Sequence, residues 1–360
     1  MAIQMRKVRL DKIASSTRHL NLARDVTISE QSIAAPRAGQ VIAVRLRGRK
    51  SVYNQLEDPT GRLLELDDGD VIVGVLGSRR ALRGYAGVVP DKLDKGDILH
   101  LLNTGGVIGR CTSINPEVGP PREVEVLGAV LTFPVLGERI GVPADIATGA
   151  VPLRDDLPRC PPVIAVAGTC MNAGKTSAAA RIIKNLAKTL GKRVAAAKVT
   201  GVSMRRDTLA MLDRGACEVL DFCDAGFPST TAGLTPKISK GLLHRLAQSE
   251  PDCILIELGD GILGEYGVQD ILRDPDLRRV IKVWVMCASD PVGAWGAQQL
   301  MTQVFELPIH VLTGPATDNE VGRAYVRDQL KIPALNAITQ ESEFVAEVVR
   351  GLGWGAPATS

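Results

Sequence analysis

Residues able to handle a phosphate group are concentrated in one stretch, Gly168-Thr169-Cys170-Met171-Asn172-Ala173-Gly174-Lys175-Thr176-Ser177. A glycine-bearing loop ending in Gly-Lys-Thr turns its backbone N–H groups, and the positive end of the helix that follows, toward an anion. Lys175 can then reach the outer phosphates of a nucleotide. The Thr176 hydroxyl is the kind of hard oxygen ligand that Mg²⁺ takes. The expected nucleotide contacts are Gly168, Thr169, Asn172, Ala173, Gly174, Lys175, Thr176 and Ser177. Five residues separate Gly168 from Gly174, one more than the usual spacing. A bare Gly-Lys-Thr would mean no more than a turn with a solvent-facing lysine, so the context decides. The apolar run Val163–Ala167 precedes the loop. Ala178, Ala179, Ile182, Ile183, Leu186, Ala187 and Leu190 recur after it at helical spacing.

Three further polar residues fall where an open α/β sheet binds its ligands, beyond the carboxyl ends of the strands. Lys198 ends the run Val194–Lys198, and Glu257 ends Cys253–Glu257 and leads into Leu258-Gly259-Asp260-Gly261. Asp207 opens a helix nine residues after Lys198. Singly, Asp207 would be read as a helix cap, and Lys198 and Glu257 as surface ion pairs. Around one phosphate loop they read as machinery. Thr176, Asp207 and Glu257 are expected to hold Mg²⁺, and Lys175, Lys198 and Glu257 to be catalytic, a lysine beside the terminal phosphate offsetting charge that develops in transfer.

The elements that position these residues alternate strand and helix over 162–355, which predicts a parallel α/β sheet with helices on both faces. Residues 1–135 read differently. Short β-prone runs at 40–47, 51–56, 62–66, 70–76, 97–102, 106–111 and 122–132 are separated by Asp67-Asp68-Gly69-Asp70, Asp94-Lys95-Gly96-Asp97 and Gly105-Gly106, which predicts a smaller all-β barrel or sandwich. Between the two, 136–161 is a Gly- and Pro-broken connector that includes Gly137. Nothing in the β region looks catalytic. Its basic loop Ser78–Gly84, with Arg79, Arg80 and Arg83, either holds an anion or faces water, and Asn103–Val107 is a second turn able to reach a ligand. The module suits substrate capture, a lid or homo-oligomer contact.

Composition narrows the class. Hydrophobic residues make up 45% and charged residues 23% of 360, ordinary values for a globular protein. Aromatics are only 3%, which argues against a base-stacking surface, so nucleic acid is not expected as a partner. The first fifty residues carry eleven Lys/Arg against three Asp/Glu, and Arg45, Arg47 and Arg49 would share one strand face. That face is either an anion patch or, the preferred reading, a solvated edge. Seven cysteines without a Cys-x-x-Cys give no disulfide framework or zinc site. No apolar run reaches membrane-span length and Met1–Lys7 has no signal-peptide core, so a cytoplasmic location is expected.

The loop resembles the Gly-Thr-Asp-Thr-x-Val-Gly-Lys-Thr of the dethiobiotin synthetase-like P-loop NTPases, including its longer spacing. Ala197-Lys198-Val199 is similar to that family's Tyr-Lys-Pro, Arg206-Asp207-Thr208-Leu209-Ala210-Met211 to its Ser-Asp-Ala-Leu-Ala-Leu, and Ile256-Glu257-Leu258-Gly259-Asp260-Gly261 to its Val-Glu-Gly-Ala-Gly-Gly. The resemblance covers about 160–340. It implies phosphate and substrate-carboxylate contacts for Lys175 and Lys198, the metal set already named, and a base-contacting loop at Thr313–Asn319 that includes Thr313 and Pro315. Cys170 replaces the family's loop Asp and Asp260 interrupts its Gly-rich turn, so dethiobiotin synthesis itself is not implied.

The expectation drawn is an ATP- and Mg²⁺-dependent synthetase or ligase that activates a small-molecule carboxylate by phosphoryl transfer. The alternative is a nucleotide-switch or cofactor-delivery NTPase acting on a protein partner. The loop's distant similarity to the molybdopterin-guanine dinucleotide adaptor proteins supports that alternative.

Overall fold

The computed structural model describes residues 5–48, 52–135 and 141–355. Arg49 of the basic run, Gly137 of the connector and the first four residues lie outside these. Two compact units are present. One comprises Met1–Ala150 with Val202–Arg206 and Cys223–Ser229. The other comprises Val151–Gly201, Asp207–Phe222 and Thr230–Ser360.

The first unit is built from β1 (Met5–Arg9), β2 (Lys12–Ile13), β3 (Asp25–Ser29), β4 (Val41–Arg47), β5 (Gln55–Glu57), β6 (Leu63–Glu65) and β7 (Val71–Leu76). It continues with β8 (Arg79–Arg80), β9 (Tyr85–Val88), β10 (Ile98–Leu101), β11 (Val107–Ile114), β12 (Arg122–Thr132) and β13 (Val142–Pro143). Five of these strands close a ring. β4 pairs with β7, β7 with β11, β11 with β10, β10 with β12, and β12 with β4. Alternation along the strands sends one set of side chains inward: Ile42, Val44 and Leu46 of β4, Ile72 and Leu76 of β7, Leu99 and Leu101 of β10, and Val124 and Val126 of β12 form one buried core. The opposite face of β4, β7 and β12 is covered by a second cluster that includes Val8, Val26 and Ile28 from β1 and β3. Closure removes most sheet edges, the usual hazard of a small β domain.

Arg45 and Arg47 lie outside the ring. Arg47 pairs with Glu125 (Nε–Oε2 2.8 Å), and half-buried Arg45 donates to the Gly69 carbonyl at 3.5 Å. Buried Glu57 accepts from the backbone N–H of Arg205 (2.7 Å) and Arg206 (2.8 Å).

The second unit is a six-stranded parallel sheet. Its strands are β14 (Val163–Gly168), β15 (Val194–Thr200), β16 (Glu218–Asp221), β17 (Cys253–Leu258), β18 (Ile281–Cys287) and β19 (Val311–Thr313), in the order β16-β15-β17-β14-β18-β19. Its helices are α1 (Lys175–Lys184), α2 (Arg205–Asp213, whose first two residues belong to the other unit), α3 (Thr235–Ala247), α4 (Val268–Arg273), α5 (Pro275–Val280), α6 (Pro291–Gln299), α7 (Glu320–Gln329) and α8 (Glu341–Gly351). Helices cover both faces, so the central strands bury every side chain and read as continuous apolar runs. On one face Ile182 and Ile183 of α1 and Phe344 and Val348 of α8 pack on Ile164, Val166, Leu255 and Val285. On the other, α3 lies over β15, β16 and β17, and α5 over β18. This is an α/β P-loop architecture preceded by a smaller β domain. The 218–221 edge strand was not expected, because only its last residue is buried. No described helix is long and apolar enough to cross a membrane.

Candidate functional site

β14 is a central strand with β17 on one side and β18 on the other. The connection from β14 to β15 must pass over β17, so the sheet changes direction at the end of β14, where open α/β sheets bind ligands. The loop that leaves this point is tightly framed. Ile262 N–H donates to the Gly168 carbonyl (2.9 Å) and Thr169 N–H to the Cys287 carbonyl (2.9 Å). A Cβ at Gly261 would lie 2.4 Å from the Thr169 carbonyl oxygen, so the turn after β17 approaches the loop at a distance only glycine allows. Gly174, at φ +97°, occupies the left-handed conformation that starts α1.

Lys175 is buried, and its Nζ donates back across the loop to the Cys170 carbonyl at 2.7 Å. Burial holds its pKa below the usual lysine range, with Cys287 and Glu257 opposing that shift. The Thr176 hydroxyl donates to Glu257 Oε1 at 3.1 Å. Glu257 is 2% exposed, and its Oε2 has no hydrogen-bond partner among the described residues. Burial raises the pKa of this carboxyl against the pull of Lys198. Lys198, also buried, forms an ion pair with Asp207 in the first turn of α2. Burial alone would lower the Lys198 pKa, but Asp207 and Glu257 hold it above the ordinary value.

The sequence-derived residues therefore fall into two sets. Gly168 to Ser177, with Glu257, gather at the start of α1. Lys198 and Asp207 pair with each other beside them. In the loop after β19, a Cβ at Gly314 would meet the Ala173 carbonyl at 2.3 Å, so this loop seats on the phosphate loop. Pro315 opens the 3₁₀ turn Pro315–Thr317 there. The Thr313 hydroxyl is buried and accepts from Ala337 N–H at 2.9 Å, which commits it to the fold.

Residues beyond the expected set also border the loop. Ser289 Oγ lies 3.0 Å from Cys170 Sγ, and Asp290 caps α6 through Gly293 N–H at 2.7 Å. Both follow the carboxyl end of β18, the position that marked Lys198 and Glu257, and that position was their available signal.

The donor chemistry fits Mg²⁺. A buried carboxylate oxygen without a partner among the described residues, beside a threonine hydroxyl at the start of a phosphate-loop helix, is a hard-oxygen set of the kind Mg²⁺ takes. Among the described residues no cluster of three or more His, Cys, Asp or Glu forms a cage. Mg²⁺ is usually held by one or two carboxylates, with phosphate oxygens and water completing its shell.

Sheet and loop define a P-loop α/β domain. No protein-family model matches the chain, and no curated protein matches it in sequence. Solved structures resemble it at low identity. Chloroplast FtsY from Physcomitrella patens is 16% identical, with 57% of this chain and 70% of that one covered and a TM-score of 0.37. The signal recognition particle 54 kDa protein from Aeropyrum pernix K1, in complex with GDP, is 14% identical, covering 55% and 47%, at 0.36. FlhF complexed with GMPPNP and Mg²⁺ is 12% identical, covering 50% and 66%, at 0.31. At such identities the likeness is one of fold.

These findings correct two expectations. The three structures named above are signal-recognition proteins and FlhF, not carboxylate-activating enzymes. The ATP-dependent synthetase or ligase reading, and with it the small-molecule carboxylate substrate, is not carried forward. The geometry gives the physical reason. Lys198, the cation that the synthetase resemblance aims at a substrate carboxylate, is buried and engaged by Asp207.

Proposed function

We propose that this chain is a nucleotide-hydrolysing switch whose two nucleotide states are read by a protein partner. The observation that carries the reading is the Lys198–Asp207 pair beside the unpartnered Oε2 of Glu257. Thr176 and Glu257 would hold Mg²⁺, which neutralises phosphate charge when bound. Lys175 is placed to hold the outer phosphates once it gives up the Cys170 carbonyl. Lys198 holds Asp207, and through it the first turn of α2. A terminal phosphate competing for Lys198 would free Asp207, so α2 would differ between triphosphate and diphosphate states. Order dependent on the γ-phosphate is the usual basis of a nucleotide switch.

The base reading shifts from adenine to guanine. Asp318, exposed in the loop after β19, has Oδ1 held by Asn336 Nδ2 at 2.9 Å. A carboxylate there suits the paired N–H donors of guanine, which adenine lacks. The guanine nucleotides bound in two of the similar structures support the same choice. The loop spacing supports placing the domain nearer the dethiobiotin synthetase-like branch of P-loop sheets, as a statement about the loop and not about the reaction.

Amide hydrogen exchange across α2, compared with GDP and with GMPPNP and Mg²⁺ bound, tests the switch. Faster exchange in the triphosphate state, absent in Lys198→Met, is the expected result. Identical exchange in the two states, with both nucleotides bound, would overturn it.

A further inference from the structure

One charged group in the β domain has no use in the nucleotide site. Arg122 begins β12, and its Cα lies opposite that of Leu101, an inward-facing residue of β10. Val124 and Val126, two and four residues on, also face inward. Register and alternation therefore both direct Arg122 into the barrel. It is 1% exposed, and its Nε and both Nη atoms have no hydrogen-bond partner among the described residues. A buried charge without partner or solvent is costly, and natural proteins pair such groups.

A second buried arginine contacts the Tyr53, Tyr85 and Leu102 cluster, which is separate from the ring core. Arg79, 5% exposed, donates through Nη1 to the carbonyl of Leu102, the residue after Leu101. Its guanidinium stands 5.3 Å over the Tyr53 ring, and its Nε is also unpartnered. The Tyr53 ring meets that of Tyr85 edge-on at 5.1 Å. The Tyr85 hydroxyl lies 3.2 Å from the carbonyls of both Val118 and Pro120, on the segment that leads into Arg122. Arg79 is thus engaged outside the ring core by the Leu102 carbonyl and Tyr53, and among the described residues neither arginine forms an ion pair.

We propose that this end of the barrel binds a phosphate group, as inorganic phosphate or a phosphomonoester, with Arg122 as its ligand. A buried guanidinium without a carboxylate calls for an anion, and its planar N–H fork matches phosphate oxygens. Because Arg122 is enclosed, entry requires the 118–120 segment that faces Tyr85 to open.

Calorimetric titration of the full chain with inorganic phosphate tests this. Every protein carries Lys175→Ala, which blanks the phosphate loop. The Arg122-containing protein should bind phosphate and a phosphomonoester, with acetate at least about tenfold weaker. Arg122→Met should lose binding by at least about tenfold, and Arg79→Met, a control outside the ring core, should leave it unchanged. No phosphate binding to the Arg122-containing protein overturns the proposal, whether or not the variants fold. Unchanged binding in Arg122→Met, or acetate binding as well as phosphate, overturns it too. Binding of the phosphomonoester but not of free phosphate would assign the site to the ester.

Discussion

Two buried cations separate the behaviour of the two units. Lys198, in the parallel sheet, is 9% exposed and has Asp207 against it, with Glu257 contributing field. Arg122, in the barrel, is 1% exposed, and its side chain has neither an acidic partner nor a hydrogen bond among the described residues. The sheet gathers polar side chains at the carboxyl ends of its strands, so opposite charges meet there and offset each other's desolvation. The barrel places Arg122 by strand alternation in a row of aliphatic neighbours, which supply no counter-charge. A cation neutralised inside the fold serves as an internal latch. A cation left without a partner is a demand for an external anion.

The largest expected effect concerns the phosphate loop of the second unit. Lys175→Ala should lower nucleotide turnover by about a thousandfold, with circular dichroism unchanged. Turnover near the parent level would remove the phosphate loop from the chemistry.

The comparison itself is sharpest in stability. Lys198→Met leaves Asp207 and Glu257 without their buried counter-charge and should cost about 3–5 kcal/mol in urea unfolding. Arg122→Met, measured without phosphate, removes a charge that has no partner. It should be neutral or stabilising, by up to about 4 kcal/mol. Two losses of equal size would show that Arg122 is satisfied within the folded chain, and the contrast would fail.

Glu257 sharpens the same contrast through pH. Its folded-state pKa is raised above 4.5, chiefly by burial. Without nucleotide and metal, the folded state therefore binds this proton more tightly than the unfolded chain does. That contribution is fully present below pH 4.5 and is lost as pH rises through the raised value. Glu257→Gln should flatten the slope of the melting temperature over that window and shift the Mg²⁺ requirement for turnover by about tenfold. An unchanged slope together with an unchanged metal requirement would exclude Glu257 from the site.

Much of this could be read in advance, and the reason is physical. Val163–Gly168 and Cys253–Leu258 are buried on both faces, so their apolar runs are unbroken and their polar ends stand out. The β-domain runs at 70–76 and 122–132 became β7 and β12 because alternation and turn residues bracket them. Three features were hidden. The pairing of Lys198 with Asp207 depends on where α2 begins relative to β15, which spacing does not reveal. Ser289 and Asp290 carry no motif, only a position after β18. Arg122 stands between two prolines and a glutamate, and only the register with Leu101 turns it inward.

Arg47 supplies the smallest effect and a control on the largest claims. It belongs to the same β domain as Arg122 and lies in the alternating basic run, where an anion patch had to be weighed against a solvated edge. Its side chain is half exposed and bonds Glu125 across the β4–β12 pairing. An exposed pair of this kind contributes about 0.2–1 kcal/mol, because solvent screens it and two long side chains must be ordered. Arg47→Ala should therefore lower stability by no more than about 1 kcal/mol and leave phosphate binding unaltered. A loss of phosphate affinity matching that of Arg122→Met would move the anion site from the barrel interior to its outer face. If instead only Arg122 controls binding, the barrel recognises its anion by enclosure, and the surface charge of the domain has no part in it.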